Sequence, residues 1–369
     1  MEALSSRAAK TVSSLAARHQ YRRIANAPRC LHTSATSQAT PVAHPTVPGP
    51  PPSAPQPAVT APQDRLAKKR QHLETLKAQN QSPAKAGTAA NPASPTAALQ
   101  KRFWKNVSVK DTDEGLQVLL DTRPVRTAGR QILHLPHHKR AVATSIALEW
   151  DQLSSAQQAL KQHYVPMTSL TSRAVDLETA DRNGDDTLRA ALVQMLMRYL
   201  GTDTLLCWAP EKNIHEPEHQ GKVSLRQKQR EVAEPIIAFL KTHIFPGVDI
   251  NPILDETSIV PTPQPEMTRA VIRGWVHSLP AYELAALERG VLATKSLLVA
   301  TRLLVEWSHE FSHLRKGTDV ERFGVEEAAE AATLEVMHQV RQWGEVEDTH
   351  DVEREDLRRQ LGSLILLVS

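Results

Sequence analysis

From Phe103 to Leu135 apolar positions alternate with polar ones. Val107 and Val109 lead into "DTDEG"; Leu116, Val118 and Leu120 follow it; "DTRP" makes a second break, and Ile132 returns after Gly129. Short period-two runs between Asp, Gly and Pro signals predict an antiparallel meander with one buried face. The period then changes. "AVATSIALEWDQL" sets Val142, Ile146, Trp150 and Leu153 at helical spacing, predicting a helix that closes over the sheet. Beyond "YVPMTSLTSRAVDLE" helical spacing dominates, with helices expected at 185–199, 225–243, 266–277, 280–290, 293–314, 325–343 and 352–368. Ser278 is a cap candidate with Pro280 just inside the next helix, and Gly247, Gly274, Gly317 and Gly344 flank or punctuate the elements. There is no fixed-period repeat. The expected fold class is α+β: a small N-terminal antiparallel β domain at 100–180, then a larger all-α C-terminal domain at 181–369.

The first hundred of the 369 residues follow neither pattern. Residues 1–63 hold six bases, Arg7, Lys10, Arg18, Arg22, Arg23 and Arg29, against the single acid Glu2. The run "SRAAKTVSSLAARHQYRRIA" carries no acid and can form a basic amphipathic helix, the profile of a mitochondrial transit peptide. A leader is therefore expected at 1–40, with "RCLHTS" as its removal region. Nine of the 25 prolines fall between Pro41 and Pro62, so 41–99 reads as an extended Pro/Ala-rich linker that builds no packed core.

Removing that region changes the electrostatic picture. The whole chain has 44 Lys and Arg against 41 Asp and Glu, but from residue 100 onward the count is 32 against 38, a net of −6. A body with no basic excess is poorly suited to a phosphate backbone, which excludes nucleic acid as the expected partner. Of the two cysteines, Cys30 lies in the leader and Cys207 in the apolar "DTLLCWAP", so no internal disulfide is expected and a buried thiol is. No stretch reaches the roughly 18 apolar residues of a membrane span.

Phosphate-cradling glycine loops and the G-x-S-x-G elbow are absent from the sequence. The zinc motif H-E-x-x-H occurs twice, as "HEPEH" at 215–219 and "HEFSH" at 309–313. It works when one helical turn brings two imidazoles to one metal beside a water-activating Glu. Pro217 breaks the turn in the first copy. In the second, an apolar stripe of Ala300, Leu304, Trp307, Phe311 and Leu314 turns His309 and His313, with Glu306, to a face shared with Arg302 and Lys316, which repel a cation and point to solvent. No metal and no cofactor are expected; a zinc peptidase using His309, Glu310 and His313 is the alternative.

The helix "TLEVMHQVRQWGEVE" poses a subtler problem. Val325, Ala329, Ala332, Val336, Val340 and Trp343 form its expected core stripe, and Glu335 lies about 100° away on the border. Ala328, Ala331, Gln339 and Gln342 share that flank, a shallow lane edged by one carboxylate and two amides. A border acid ordinarily contacts only water, so the helix by itself assigns Glu335 no role. Trp150 and Trp343 read as core anchors, Arg123 and Arg126 as solvated turn charges, "EVEDTHDVERED" as a helix start, and "LGSLILLVS" as a docked final turn whose exposed tip is the alternative.

Six strings occur in a telling order: "RFWKNVSV", "LDTRPVRTAGRQILHLP", "ALEWDQ", "MTSLTSRAVD", "DTLLCWAP" and "ATLEVMHQVRQWGEVEDTHD". Together, over residues 100–369, they resemble the mitochondrial ATP synthase assembly chaperones that bind the alpha subunit of the catalytic head, a family shared with alphaproteobacteria. The resemblance implies a β-rich N-terminal and a helical C-terminal domain, no catalysis and no cofactor. It also implies residence in the mitochondrial matrix and a monomer that holds unassembled alpha subunit until the beta subunit replaces it. The family's Leu-Glu before Trp-Gly, where an acid matters for alpha-subunit binding, matches Leu334 and Glu335, with Gln339 and Trp343 in register. The expected contact residues are therefore Glu335, Gln339, Gln342 and Trp343. "SHEFSHLRKGTDVERFG" at 308–324 is longer than the usual family loop, and the Pro-rich linker lies outside the pattern. A structural subunit of a matrix complex is the remaining alternative.

Overall fold

The structure, a computed structural model, describes residues 101–210, 223–254, 260–314, 322–346 and 348–369. It begins with a tight hairpin. Strands β1 (Val107–Thr112) and β2 (Gly115–Leu120) run antiparallel, with Val109 opposite Val118 and Thr112 opposite Gly115. Gly115 has φ +131°, and a Cβ there would lie 2.3 Å from the carbonyl oxygen of Leu135, so only glycine fits. The short strands β3 (Arg123–Pro124) and β4 (His134–Leu135) both pair with β2. Leu116, Val118, Leu120 and Leu135 are buried, and helix α1 (Arg140–Gln152) covers them with Val142, Ala143 and Ile146, as the spacing predicts.

The stretch left without an assignment by periodicity is helix α2 (Pro166–Arg182). It buries Thr168, Thr171 and Ser172 beside Met167, Leu170, Ala174, Val175 and Leu177, so its core face is too polar in composition to read as a clean apolar stripe. Proline at its first position needs no N–H partner. The Glu149 carboxylate from α1 caps the start, accepting from the amides of Met167 at 2.5 Å and Thr168 at 3.0 Å. Burial pushes that carboxyl above its ordinary range.

The remaining helices are α3 (Thr187–Leu200), α4 (Leu225–His243), α5 (Glu266–Ser278), α6 (Ala281–Thr294), α7 (Leu297–Trp307), α8 (Val325–Trp343) and α9 (His350–Val368). Three expectations are corrected among them. Gly274 lies inside α5 and ends nothing; the Ser278 hydroxyl turns back to the carbonyl of Trp275, and Pro280 occupies the cap of α6. The helix expected at 293–314 is two pieces. Lys295 ends α6 in a left-handed conformation, and the Ser296 hydroxyl restarts the chain by accepting from the amide of Val299 at 3.0 Å. Helix α7 then stops at Trp307, where the buried Ser308 turns to extended backbone and donates its hydroxyl to Glu283 Oε1 at 3.0 Å.

Helix α6 is the axis of the helical body, burying Leu284, Ala285, Ala286, Leu287 and Val291. Gly290 lets its neighbours come close: a Cβ there would sit 2.6 Å from Leu364 of α9 and 3.0 Å from Ala300 of α7. The last turn of α9 is docked, with Leu361, Leu364, Leu367 and Val368 fully buried, which removes the exposed-tip alternative. Lys139, itself buried at the end of the sheet region, donates to the carbonyl of Leu367 at 2.8 Å and that of Ser369 at 3.1 Å. Sheet and helices thus share one continuous core.

Candidate functional site

The site begins with the way α8 outruns the body it packs on. Its 19 residues span about 28 Å. The N-terminal half is well anchored. The Gly324 amide donates to Glu327 Oε2 at 2.8 Å; Ala328, Ala329 and Ala331 are buried; and Arg358 of α9 forks onto Glu326. Beyond Thr333 the cover thins: Val336 is 41% exposed and Trp343 63%.

This corrects the sequence reading twice. The alanines at 328 and 331, expected to floor a surface lane, are core residues, because their short side chains let neighbouring helices approach. The expected stripe is buried at Ala329 and half-buried at Val325, Ala332 and Val340, but Val336 and Trp343, the latter expected as a core anchor, stand in solvent. The structure brings the four expected contact residues onto one exposed strip. Glu335, Gln339, Gln342 and Trp343 are all exposed and recur at helical spacing over about 12 Å. Gln339 donates to Glu335 Oε1 at 3.3 Å, and Gln342 bonds to His338 at 2.9 Å.

A second element, the pinned loop 203–210, was registered by sequence reasoning only as an apolar string. Burial pushes the Cys207 thiol above its ordinary range, and the negative charges of Asp203 and then Glu335 add to the shift. Gln229 of α4 holds the loop from one side, accepting from the amide of Ala209 at 2.7 Å and donating to the carbonyl of Cys207 at 3.1 Å. Arg226 donates to the carbonyl of Ala209 at 2.9 Å and lies 5.9 Å from the Trp208 ring. The anchor is Asp203. Fully buried, it accepts from the amides of Leu205, Leu297 and Leu298 at 3.0, 2.7 and 3.1 Å, capping α7 from far away in sequence. Burial lifts its carboxyl to about 6. No local spacing could have found a cap that acts 94 residues away. Chemically the strip offers an exposed carboxylate, two amides and an exposed indole. Among the described residues it holds no nucleophile with its base, and it suits the capture of N–H donors and apolar groups.

The zinc candidates fare differently. "HEPEH" at 215–219 lies outside the described residues. "HEFSH" follows the end of α7, with His309 and His313 exposed on a turn and a short 3-10 segment, so the single helical turn that would aim both imidazoles at one metal is missing. Nor do Arg302 and Glu306 belong to a solvated face. They pair at 2.6 Å while both are mostly buried, and the Arg302 guanidinium stacks 3.7 Å over the Phe239 ring. A cleft of about 460 Å³ opens where the α2–α3 turn meets the α5–α6 junction. Its Arg189 is a strut, forked onto Asp181 and donating to the carbonyls of His277 at 2.8 Å and Leu279 at 2.7 Å. The same guanidinium holds the Asp181 carboxyl below the usual carboxylate range.

A family profile described as ATP12 chaperone protein matches residues 101–241. Protein atp12, mitochondrial, of Schizosaccharomyces pombe is 32% identical over 267 residues, covering 72% of this chain and 81% of that one. Protein ATP12, mitochondrial, of Saccharomyces cerevisiae is 32% identical over 277 residues, covering 71% and 81%. The crystal structure of Atp12 from Paracoccus denitrificans superposes with a TM-score of 0.51 at 25% identity, covering 73% of this chain and 97% of that one. The order of motifs, the small sheet with its helical body and these matches agree: the chain belongs to the ATP12 family of mitochondrial ATP synthase assembly chaperones.

Proposed function

We propose that this chaperone binds the unassembled alpha subunit of ATP synthase in the mitochondrial matrix and keeps it from misassembly until the beta subunit takes its place. Glu335, Gln339, Gln342 and Trp343 are its contact residues in this reading. Residues 1–40 are a leader removed on import, and 41–99 tether the folded body, in which a β-rich part, 100–180, precedes the helical part, 181–369. The observation that carries the proposal is the bare outer half of α8, where a tryptophan 63% exposed shares a strip with an exposed carboxylate. An indole supplies contact area at little entropic cost, and the carboxylate orients a partner through arginine or backbone N–H groups. The role is binding, without catalysis.

Size-exclusion chromatography of the protein mixed with purified alpha subunit tests this, with the Glu335→Lys form run beside it. The expected result is a co-eluting complex that the variant weakens at least tenfold while its thermal unfolding stays that of the parent. Undiminished affinity in the folded variant removes Glu335 from the site. The absence of any complex with the parent protein removes the alpha-subunit reading. Permanent copurification with the finished enzyme complex would favour a structural subunit instead.

A further inference from the structure

We propose that the sheet end of the molecule carries a second docking surface, built on Phe103 and Arg123, that takes an acidic peptide segment bearing apolar side chains. The backbone there alternates faces. Trp104 is driven into the core at 1% exposure, its indole donating to the carbonyl of Trp150 at 3.2 Å, and this throws Phe103 outward at 58% exposure. The outward segment is held firmly. Arg102 donates to the carbonyls of Asp151 at 2.8 Å and Lys105 at 3.1 Å, and the amides of Lys105 and Asn106 both donate to the Asp121 carboxylate, at 3.1 and 2.9 Å. Asp121 adopts φ +55° in the turn after β2, which aims its carboxylate at those amides. They in turn hold its carboxyl below the ordinary range.

A single exposed phenylalanine is ordinary on a protein surface. This one differs in three respects. Its backbone is fixed, so a partner meets it without an ordering cost. The Arg123 guanidinium stands 5.6 Å over its ring, while Trp104 supports it edge-on at 4.8 Å. Finally, Arg123, Lys101 and Lys105 have no carboxylate within 4 Å among the described residues; the nearby acids are Asp121, occupied by backbone amides, and Asp151, 3.7 Å from Arg102. Between residues 101 and 130 there are seven Lys and Arg against four Asp and Glu, in a body whose net charge is −6. Charge complementarity therefore selects an acidic occupant, and the ring selects an apolar side chain within it. The three unpaired cations form too short a row to track a nucleic-acid backbone, so a peptide is favoured over an oligonucleotide.

The test uses a fluorescent peptide alternating Glu and Leu, with one alternating Glu and Ser as control, titrated against the full protein by anisotropy. The parent should bind the Glu-Leu peptide more tightly than the control. Phe103→Ser should weaken the Glu-Leu peptide about tenfold, and Arg123→Glu should weaken both peptides. Circular dichroism confirms that both variants stay folded, and Glu335→Lys should leave the titration unchanged. Overturning results are no binding of the Glu-Leu peptide, equal binding of both peptides, tighter binding of a single-stranded oligonucleotide, undiminished binding in the two sheet-end variants, or loss in Glu335→Lys. Because the probe is not the alpha subunit, the outcome is independent of that reading.

Discussion

The two halves of α8 draw on similar apolar residues yet live in different surroundings. In the first half Ala328 is completely buried and Ala331 nearly so; in the second, Val336 and Trp343 face solvent. The smaller side chains are in the core and the larger ones outside, the reverse of what burial by size predicts. What separates them is the supply of neighbours. Helix α8 packs on α4, α6, α7 and α9; its first half holds all of its buried residues, and its second half holds none. Helix continuity then places large apolar groups in solvent wherever a helix extends beyond its support, and such groups are available to another chain.

That contrast is best broken by a matched pair of substitutions. Ala328→Asp buries an unpaired carboxylate and should cost roughly 3 kcal/mol or more, read as a drop in denaturant midpoint. Val336→Asp on the same helix should stay within about 0.5 kcal/mol. Equal costs would show that the outer half is packed after all.

The loop at 203–210 gives the next effect. Asp203→Asn exchanges an acceptor of three amides for a group with only one acceptor oxygen and should cost about 2 kcal/mol at neutral pH. The pH dependence has a definite sign. Burial lifts the folded Asp203 carboxyl from 3.8 to about 6, so the folded state holds this proton more tightly than the unfolded one. Its stabilising contribution is present below pH 3.8 and is lost as pH rises through about 6. The stability gap between parent and Asp203→Asn should therefore narrow from pH 4 to pH 7, and a constant gap would remove Asp203 as the titrating group.

Smallest of all is Trp343→Ala. A core tryptophan would cost about 3–5 kcal/mol, but this exposed one should change thermal stability by less than about 0.5 kcal/mol while weakening client binding. A large loss of stability would restore the core-anchor reading.

Legibility in the sequence tracked how local the determining interaction is. The hairpin was readable because alternation and the Gly115 turn act within a dozen residues, and α1 because its stripe meets one sheet face. Helix α2 was not, since the hydroxyl residues Thr168, Thr171 and Ser172 on its buried face blur the stripe. The break between α6 and α7 was missed because Lys295 and Ser296 end one helix and begin another inside a continuous apolar run. At the site, the spacing of Glu335, Gln339, Gln342 and Trp343 already placed them on neighbouring faces. Their exposure was not encoded locally, because it depends on how much of α8 the other helices cover. Asp203, Gln229 and Arg226 were invisible for the same reason, each acting on residues 17 to 94 positions away.

The Lys139 clamp bears on the order in which the chain acquires its final form. The bond from Lys139 to the carbonyl of Leu367 closes a loop of 228 residues, and the turn it grips also supplies Leu364 and Leu367 to the core around α6. Closure entropy for so distant a contact must be met before the contact gives anything back. A polypeptide emerging from its N-terminus can form the hairpin and α1 early, yet it cannot seal the joint between sheet and helices until α9 is present. That makes the last helix the timing step: the joint between sheet and helices closes only once α9 has joined the fold.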